Sequence, residues 1–285
     1  MIDTIVSGAS GFIGQSLCRR LLTDGIELLG LSHNDGDVAD QSVWEALPPA
    51  KQVVHLAGCS YVPASWEDSA RFLRTNVLGT ENAITYCRRH DARMIYVSGY
   101  VYGIPESLPI SEDHPVRPNN PYALSKYLAE QLCGFASNHH QQQVIVLRLF
   151  NVYGPGQRAD FLIPAIVSQV LEGNEIRVMD LNPRRDYVYI DDVVDAICSA
   201  STITGASHTL NIGSGDSYSV SEVIDQIQAV AGTSLPVVSS SRERANEIPD
   251  VLADITQARH ILDWEPRWTF PHGLEQIFIL ENTHD

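Results

Sequence analysis

Apolar residues in this chain come in two alternating rhythms. Short unbroken runs at Thr4 to Ser7, Glu27 to Ser32, Gln52 to Gly58, Arg93 to Ser98 and Val144 to Phe150 predict strands buried on both faces. Between them, apolar positions recur every three or four residues, from Phe12 to Asp24, from Asn76 to His90 and onward from Pro121. That spacing predicts amphipathic helices, the first ended by Gly25. Strands alternating with helices predict an α/β fold built on a parallel sheet. Past Phe150 the pattern becomes shorter and mixed. It gives a helix from Phe161 to Glu172 ended by Gly173, a strand at Ile176 to Met179, the segment Arg184 to Val193, and a final helix after Trp264-Glu265-Pro266. Two interleaved lobes are expected: residues 1–155, and residues 156–285, with segments near 186–215 returning to the main sheet.

The first strand runs straight into Gly8-Ala9-Ser10-Gly11-Phe12-Ile13-Gly14 and then a helix. In that context each glycine has a task. Gly8 permits the tight turn, Gly11 lets main chain approach a pyrophosphate at the helix N-terminus, and Gly14 lets helix and strand pack closely. The second strand ends in Ser32-His33-Asn34, without the acid that would hold an adenosine ribose and without an arginine for a 2′-phosphate. Asp35 or Asp37 nearby would repel such a phosphate, which favours NAD and leaves NADP open. Asp37-Val38 is expected to form a strand end beside the adenine. Leu56-Ala57-Gly58 ends the third strand in small residues, past which a cofactor can lie. His55, inside an apolar run, is expected to be a core histidine bonded to main chain. Asn76 is expected to cap its helix or to orient a group of the site, with capping preferred.

Asn120-Pro121-Tyr122-Ala123-Leu124-Ser125-Lys126 carries the candidate chemistry. Proline suits a first helical turn, and Tyr122 and Lys126 at i and i+4 share one helix face. An ammonium beside a phenol favours phenolate and can bring it toward working pH. The spacing alone also suits an ordinary surface helix. Ser98, at the carboxyl end of a predicted parallel strand, lies where open α/β sheets bind ligands, and with Tyr122 it could address one substrate oxygen.

Composition narrows the partners. With 35 acidic and 19 basic residues the net charge is −16, which argues against nucleic acid and against anionic membrane. An anionic ligand must then be held by local donors and a few arginines. No apolar run is long enough for a transmembrane helix, and Met1-Ile2-Asp3-Thr4 lacks a basic leader. The five cysteines are scattered, as small core residues in a reducing compartment would be, so a cytoplasmic location is expected. No metal-ligand spacing occurs.

Taken in order, Gly8-x-x-Gly11-x-x-Gly14, His55-Leu56-Ala57-Gly58, Asn76-Val77-x-Gly79-Thr80, Ser98 with Val101-Tyr102-Gly103, and Pro121-Tyr122-x-x-x-Lys126 resemble the extended short-chain dehydrogenase/reductases. Within them, the chain resembles the nucleotide-sugar epimerases, dehydratases and reductases, over essentially its whole length. The resemblance implies a Rossmann-type doubly wound parallel sheet with a smaller mixed α/β C-terminal substrate lobe. It implies catalysis by Ser98, Tyr122 and Lys126. Cofactor contacts are implied at Gly8, Ser10, Gly11, Phe12, Ile13, Gly14, Ser32, Asp37, Val38, Leu56, Ala57, Gly58, Asn76, Tyr122, Lys126 and Phe150. A nucleoside-diphosphate sugar would meet Ser60, Ser98, Asn151, Arg185 and Arg244, and the family implies a homodimer through two helices per subunit. Read alone, Arg244 suits a solvated charge, and Asp191 and Asp192 suit capping of the next helix.

One departure bears on the reaction. The 4,6-dehydratases of this family carry an acid pair just after the Ser98 position, where this chain has Gly99 and Tyr100. Elimination of water by that route is disfavoured. Epimerisation of a nucleotide sugar, at C4 of a hexose, ranks first and reduction of a 4-keto sugar second. A dinucleotide-binding sensor without turnover is the remaining alternative, and the Tyr122, Lys126 and Ser98 set argues against it.

Overall fold

The computed structural model describes residues 1–240 and 247–281. Its centre is a six-stranded sheet of β1 (Ile2–Ser7), β2 (Leu28–Leu31), β3 (Ala50–His55), β4 (Arg93–Ser98), β5 (Val144–Leu149) and β9 (His208–Ile212). The order is β2-β1-β3-β4-β5-β9, every pairing parallel. Side chains alternate across a strand, so each unbroken apolar run feeds two cores. Ile5, Val53, Met94, Tyr96 and Val146 pack on one face with the helices Gly79–His90 and Pro121–His140. Val6, Val54, Ile95, Ile145 and Leu147 pack on the other with the helices Phe12–Thr23, Ile190–Ala200 and Thr256–Leu262.

The chain leaves β1 for β2 on one side and returns to β3 on the other. The carboxyl ends of β1 and β3 therefore flank the crevice at a topological switch point, where α/β sheets bind their ligands. The expected strand end at Asp37-Val38 does not form. Asp37 Oδ1 accepts from Ala39 N at 2.9 Å, a local turn that competes with strand pairing, and β2 remains the outer strand.

The smaller lobe holds β6 (Asn151–Tyr153), β8 (Arg184–Tyr189) and β10 (Ser217–Ser219) in one sheet, and β7 (Ile176–Val178) with β11 (Val237–Ser239) in another. The helices Leu162–Glu172, Val220–Ala231 and Phe270–Glu281 cover them around Tyr153, Ile166, Val223 and Leu274. After β8 the chain re-enters the main sheet through β9, which pairs with β5. Asp186, fully buried in β8, accepts from Ser214 N at 2.6 Å, Gly215 N at 3.1 Å and Ala253 N at 3.1 Å, tying three segments together. Asp192 is not a cap of its own helix, contrary to the sequence reading. Its carboxylate accepts from Arg267 N and Trp268 N at 2.9 and 3.1 Å, fixing the approach to the last helix. No helix among the described residues is long and apolar enough to cross a membrane.

Candidate active site

The turn after β1 is made of main chain with its side chains left out. Gly8 sits at φ +77°, and a Cβ there would fall 2.8 Å from Ala57 N. A Cβ on Gly14 would overlap the Gly8 carbonyl oxygen and lie 2.9 Å from Ala9 Cα. Gly8 N and Ala9 N both donate to Leu31 O at 2.9 Å, which fixes the turn to β2. Gly11 is the N-cap of Phe12–Thr23 and contributes no capping side chain, so the first-turn amides stay available to a ligand. Phe12, Ile13 and Gly14 form that first turn, with exposed Ser10 just before it. Such a cradle fits a pyrophosphate.

At the far rim, Ser32 caps a short turn over His33–Asp35, and its N and Oγ both donate to Asp35 Oδ2 at 2.8 Å. The arginine missing near β2 in sequence arrives from elsewhere. Arg74 donates to Asp37 at 3.2 Å and to Asp40 at 2.6 Å. Three carboxylates against one guanidinium leave this rim net negative, a poor place for a 2′-phosphate. The Val38 side chain packs against Gly79, and its carbonyl accepts from Trp44 Nε1 and Asn82 Nδ2.

Tyr122 and Lys126 lie in the first turns of Pro121–His140. Pro121 opens that helix and Asn120 caps it, its Oδ1 accepting from Ala123 N at 2.8 Å. Lys126 is buried, its Nζ donating to Val97 O at 2.6 Å and standing 4.7 Å from the Tyr96 ring centroid. Burial pulls this ammonium down to about 8, against the opposing pull of the Glu130 carboxylate. The Tyr122 ring packs edge-on to Phe72, and its hydroxyl lies against Gly99. Burial pushes the phenol up to about 12, with Glu130 adding to the rise. From the sequence, Lys126 is expected to lower this phenol; in the structure burial raises it, and the Lys126 ammonium donates to Val97 O. Ser98 is 3% exposed, and its Oγ finds no hydrogen-bond partner among the described residues. A buried hydroxyl without a partner at the mouth of a crevice calls for a ligand atom.

Asn76 corrects its sequence reading. It does not cap a helix, because the helical chain runs through it in a wide turn over Leu73–Leu78 into Gly79–His90. Its side chain is buried and bridges elements: Oδ1 accepts from Cys59 N at 2.8 Å, and Nδ2 donates to Cys59 O at 3.0 Å and Ser125 Oγ at 2.8 Å. A Cβ on Gly58 would sit 2.9 Å from Asn76 Oδ1 and 3.7 Å from Lys126 Nζ, so the loop after β3 meets the lysine there. Leu56 N continues the β1 pairing by donating to Ser7 O. His55 is fully buried as expected, but its partner is a side chain, Ser7 Oγ, at 2.6 Å from Nδ1. Burial lowers His55 to about 3, so it stays neutral.

On the opposite wall, Phe150 is buried and meets the Tyr100 ring edge-on at 5.6 Å. Tyr100 Oη donates to Gly103 O at 2.6 Å, and the nearby Arg185 charge opposes the burial that raises this phenol. Arg185 itself pairs with Glu247 and donates to Ile248 O at 2.7 Å. Asn151 Nδ2 donates to Asp186 O at 3.2 Å. Ser60 is exposed on the loop after β3. Arg244 lies outside the described residues. Among the described residues no cluster of His, Cys, Asp or Glu could hold a metal.

The sequence reading missed a buried network behind the site. Arg148 of β5 forks onto Glu130, with Nη2 to Oε2 at 2.7 Å and Nε at 3.1 Å from both oxygens. Arg148 Nη1 donates to Tyr102 Oη at 2.9 Å, and Tyr102 donates on to Asn211 Oδ1 at 2.6 Å. Two signals were present: an arginine inside an apolar strand needs a buried partner, and Glu130 follows Lys126 by one helical turn.

The model of the NAD dependent epimerase/dehydratase family matches residues 4–213. GDP-6-deoxy-D-mannose reductase of Pseudomonas aeruginosa is 32% identical, over 95% of this chain and 94% of its own. UDP-glucose 4-epimerase of Mycolicibacterium smegmatis is 31% identical, over 95% and 96%. Among solved structures, MoeE5 in complex with UDP-glucose and NAD superposes with a TM-score of 0.92 at 30% identity, covering 99% of this chain and all of its own.

Proposed function

Because the chain belongs to the NAD dependent epimerase/dehydratase family, we propose that it interconverts alcohol and ketone on a nucleoside-diphosphate sugar with NAD, as an epimerase at C4 of a hexose. The observation that carries this reading is the unpartnered, buried Ser98 Oγ next to the residue against which the Tyr122 hydroxyl packs. With the serine hydroxyl and the phenol at adjoining residues of one wall, both could address one substrate oxygen. The relatives that act on UDP-glucose and on a GDP-6-deoxy sugar support the substrate class.

The residues present fit a dinucleotide, as the side-chain-free cradle at Gly8 and Gly14 and the net negative rim at Asp35, Asp37 and Asp40 indicate. The first-turn amides would hold its pyrophosphate where Gly8 and Gly11 leave room for it, and Lys126, with two donors left after Val97 O, its nicotinamide ribose. When bound, it supplies the hydride acceptor and donor. Tyr122 takes the proton of the sugar hydroxyl and returns it, and Ser98 Oγ hydrogen-bonds the reacting oxygen. Phe150 and Tyr100 exclude water from that wall. Arg185 and Asn151 would face the substrate diphosphate, with Arg185 exchanging Glu247 for phosphate.

A second reading, reduction of a 4-keto sugar, is favoured by the likeness to GDP-6-deoxy-D-mannose reductase. Purified protein with UDP-, GDP- and dTDP-sugars separates the two. Inverted sugar configuration without net cofactor turnover supports the epimerase, whereas stoichiometric NADH or NADPH consumption rejects it for the reductase. Cofactor binding without transformation of any sugar would reject both.

A further inference from the structure

Gly99 follows Ser98 directly, at a point where a side chain would not fit. A Cβ there would overlap Tyr122 Oη and lie 3.2 Å from Cζ and 3.5 Å from Cε1. The backbone does not demand this glycine, because Gly99 is not among the glycines of positive φ. What excludes a side chain at position 99 is the tyrosine.

The helix that carries the tyrosine is held in place on two sides. Phe72, 3% exposed, stands edge-on to the Tyr122 ring with centroids 6.5 Å apart. Its helix is held at the start by the Asn120 cap and one turn on by the Asn76–Ser125 hydrogen bond, and Ser125 Oγ donates back to Tyr122 O at 2.7 Å. On this pinned turn of helix the hydroxyl lies in a notch of the main chain one residue beyond Ser98.

We infer that Gly99 is a positioning residue for Tyr122: its missing side chain lets the phenol hydroxyl lie flush against the main chain beside Ser98. Proton transfer works over roughly 3 Å, and a shift of about 1 Å in a reacting group can cost about 10²-fold in rate. A side chain at position 99, an acid of the kind the dehydratases carry included, would have to displace the phenol hydroxyl from where it now lies. The inference rests on the acid/base role proposed for Tyr122, but the notch is a matter of packing and can be tested apart from turnover.

The experiment places Gly99→Ala in the native chain and in a Tyr122→Phe background, and reads Tm, kcat, KM and the pH dependence of kcat. Gly99→Ala lowers Tm by at least about 3 °C in the native chain. In the Tyr122→Phe background, where the oxygen filling the notch is gone, the loss is under about 1 °C. In the native background kcat falls by about 10²-fold, KM for the nucleotide sugar stays within about 3-fold, and the pH limb of kcat is displaced. Equal Tm losses in the two backgrounds overturn the notch. Unchanged kcat and pH profile overturn the positioning role. If the native chain turns over no nucleotide sugar, the proposed function falls, and the Tm coupling still upholds or overturns the packing by itself.

Discussion

At neutral pH the Tyr122 phenol keeps its proton, and accepting one from an alcohol requires a cation beside it. Lys126, one turn on along the same helix, is the cation proposed for that part, and burial brings its ammonium down to about 8. We therefore expect kcat/KM to fall as pH rises through about 8, as the lysine loses its charge; a profile flat to about pH 9.5 would remove Lys126 from the mechanism. Tyr122→Phe should cut kcat by roughly 10²- to 10⁴-fold while cofactor affinity, followed by fluorescence titration, is retained. The same lysine leaves a mark on stability. In the unfolded chain it stays charged up to the ordinary 10.5, in the fold only up to about 8. Below 8 the fold therefore carries a penalty, on the order of 3 kcal/mol at most, which is relieved as pH climbs from 8 toward 10.5. Lys126→Met should be more stable than the native chain in urea at pH 7, with the gain shrinking by about pH 10. A gain independent of pH would show that the ammonium is not the source.

At the scale of elements, Ser98 and Tyr122 belong to different segments, and the network behind them holds those segments together. Glu130 lies on the Tyr122 helix, Arg148 on β5, and Tyr102 on the turn that follows Ser98. The ion pair is 8% and 5% exposed, so removing Arg148 alone strands a buried carboxylate. Arg148→Met should cost about 3–5 kcal/mol, and adding Glu130→Leu should recover much of it; urea unfolding that finds the double variant less stable than Arg148→Met would contradict this. What can be read in advance at this scale follows from range. The strands are legible because burial on both faces leaves few polar positions in them, and Gly8 and Gly14 because tight turns and close packing are local demands. Asp192 departs from its capping expectation because its partners, Arg267 and Trp268, are distant in sequence and a capping rule looks only at neighbours. Asn76 departs from its own because the wide turn at Leu73–Leu78 carries the helix past the position where a periodic pattern would start it. Arg74 near Asp37 and Glu130 against Arg148 are likewise pairs made by topology, which apolar periodicity cannot register.

For the molecule as a whole, the charge of −16 sets the terms on which anionic ligands approach. A nucleotide sugar and a dinucleotide both carry negative diphosphates, and the long-range field of such a chain repels them. Among the described residues, two arginines near the crevice are already paired, Arg185 with Glu247 and Arg74 with Asp37 and Asp40. Binding then depends on short-range donors, the helix amides after Gly11 and the arginine fork once it exchanges partners, rather than on attraction from a distance. Short-range contacts survive screening, while the repulsion reaches only about 8 Å at physiological ionic strength and roughly 30 Å at 0.01 M. Added salt should accordingly raise kcat/KM for the nucleotide sugar between about 0.01 and 0.15 M, mainly through faster association, with kcat little changed. An enzyme steered by a local positive field shows the opposite slope. Stopped-flow association at several salt concentrations gives the sign directly, and a rate that falls with salt would mean that Arg185 and its neighbours dominate the approach despite the acidic surface.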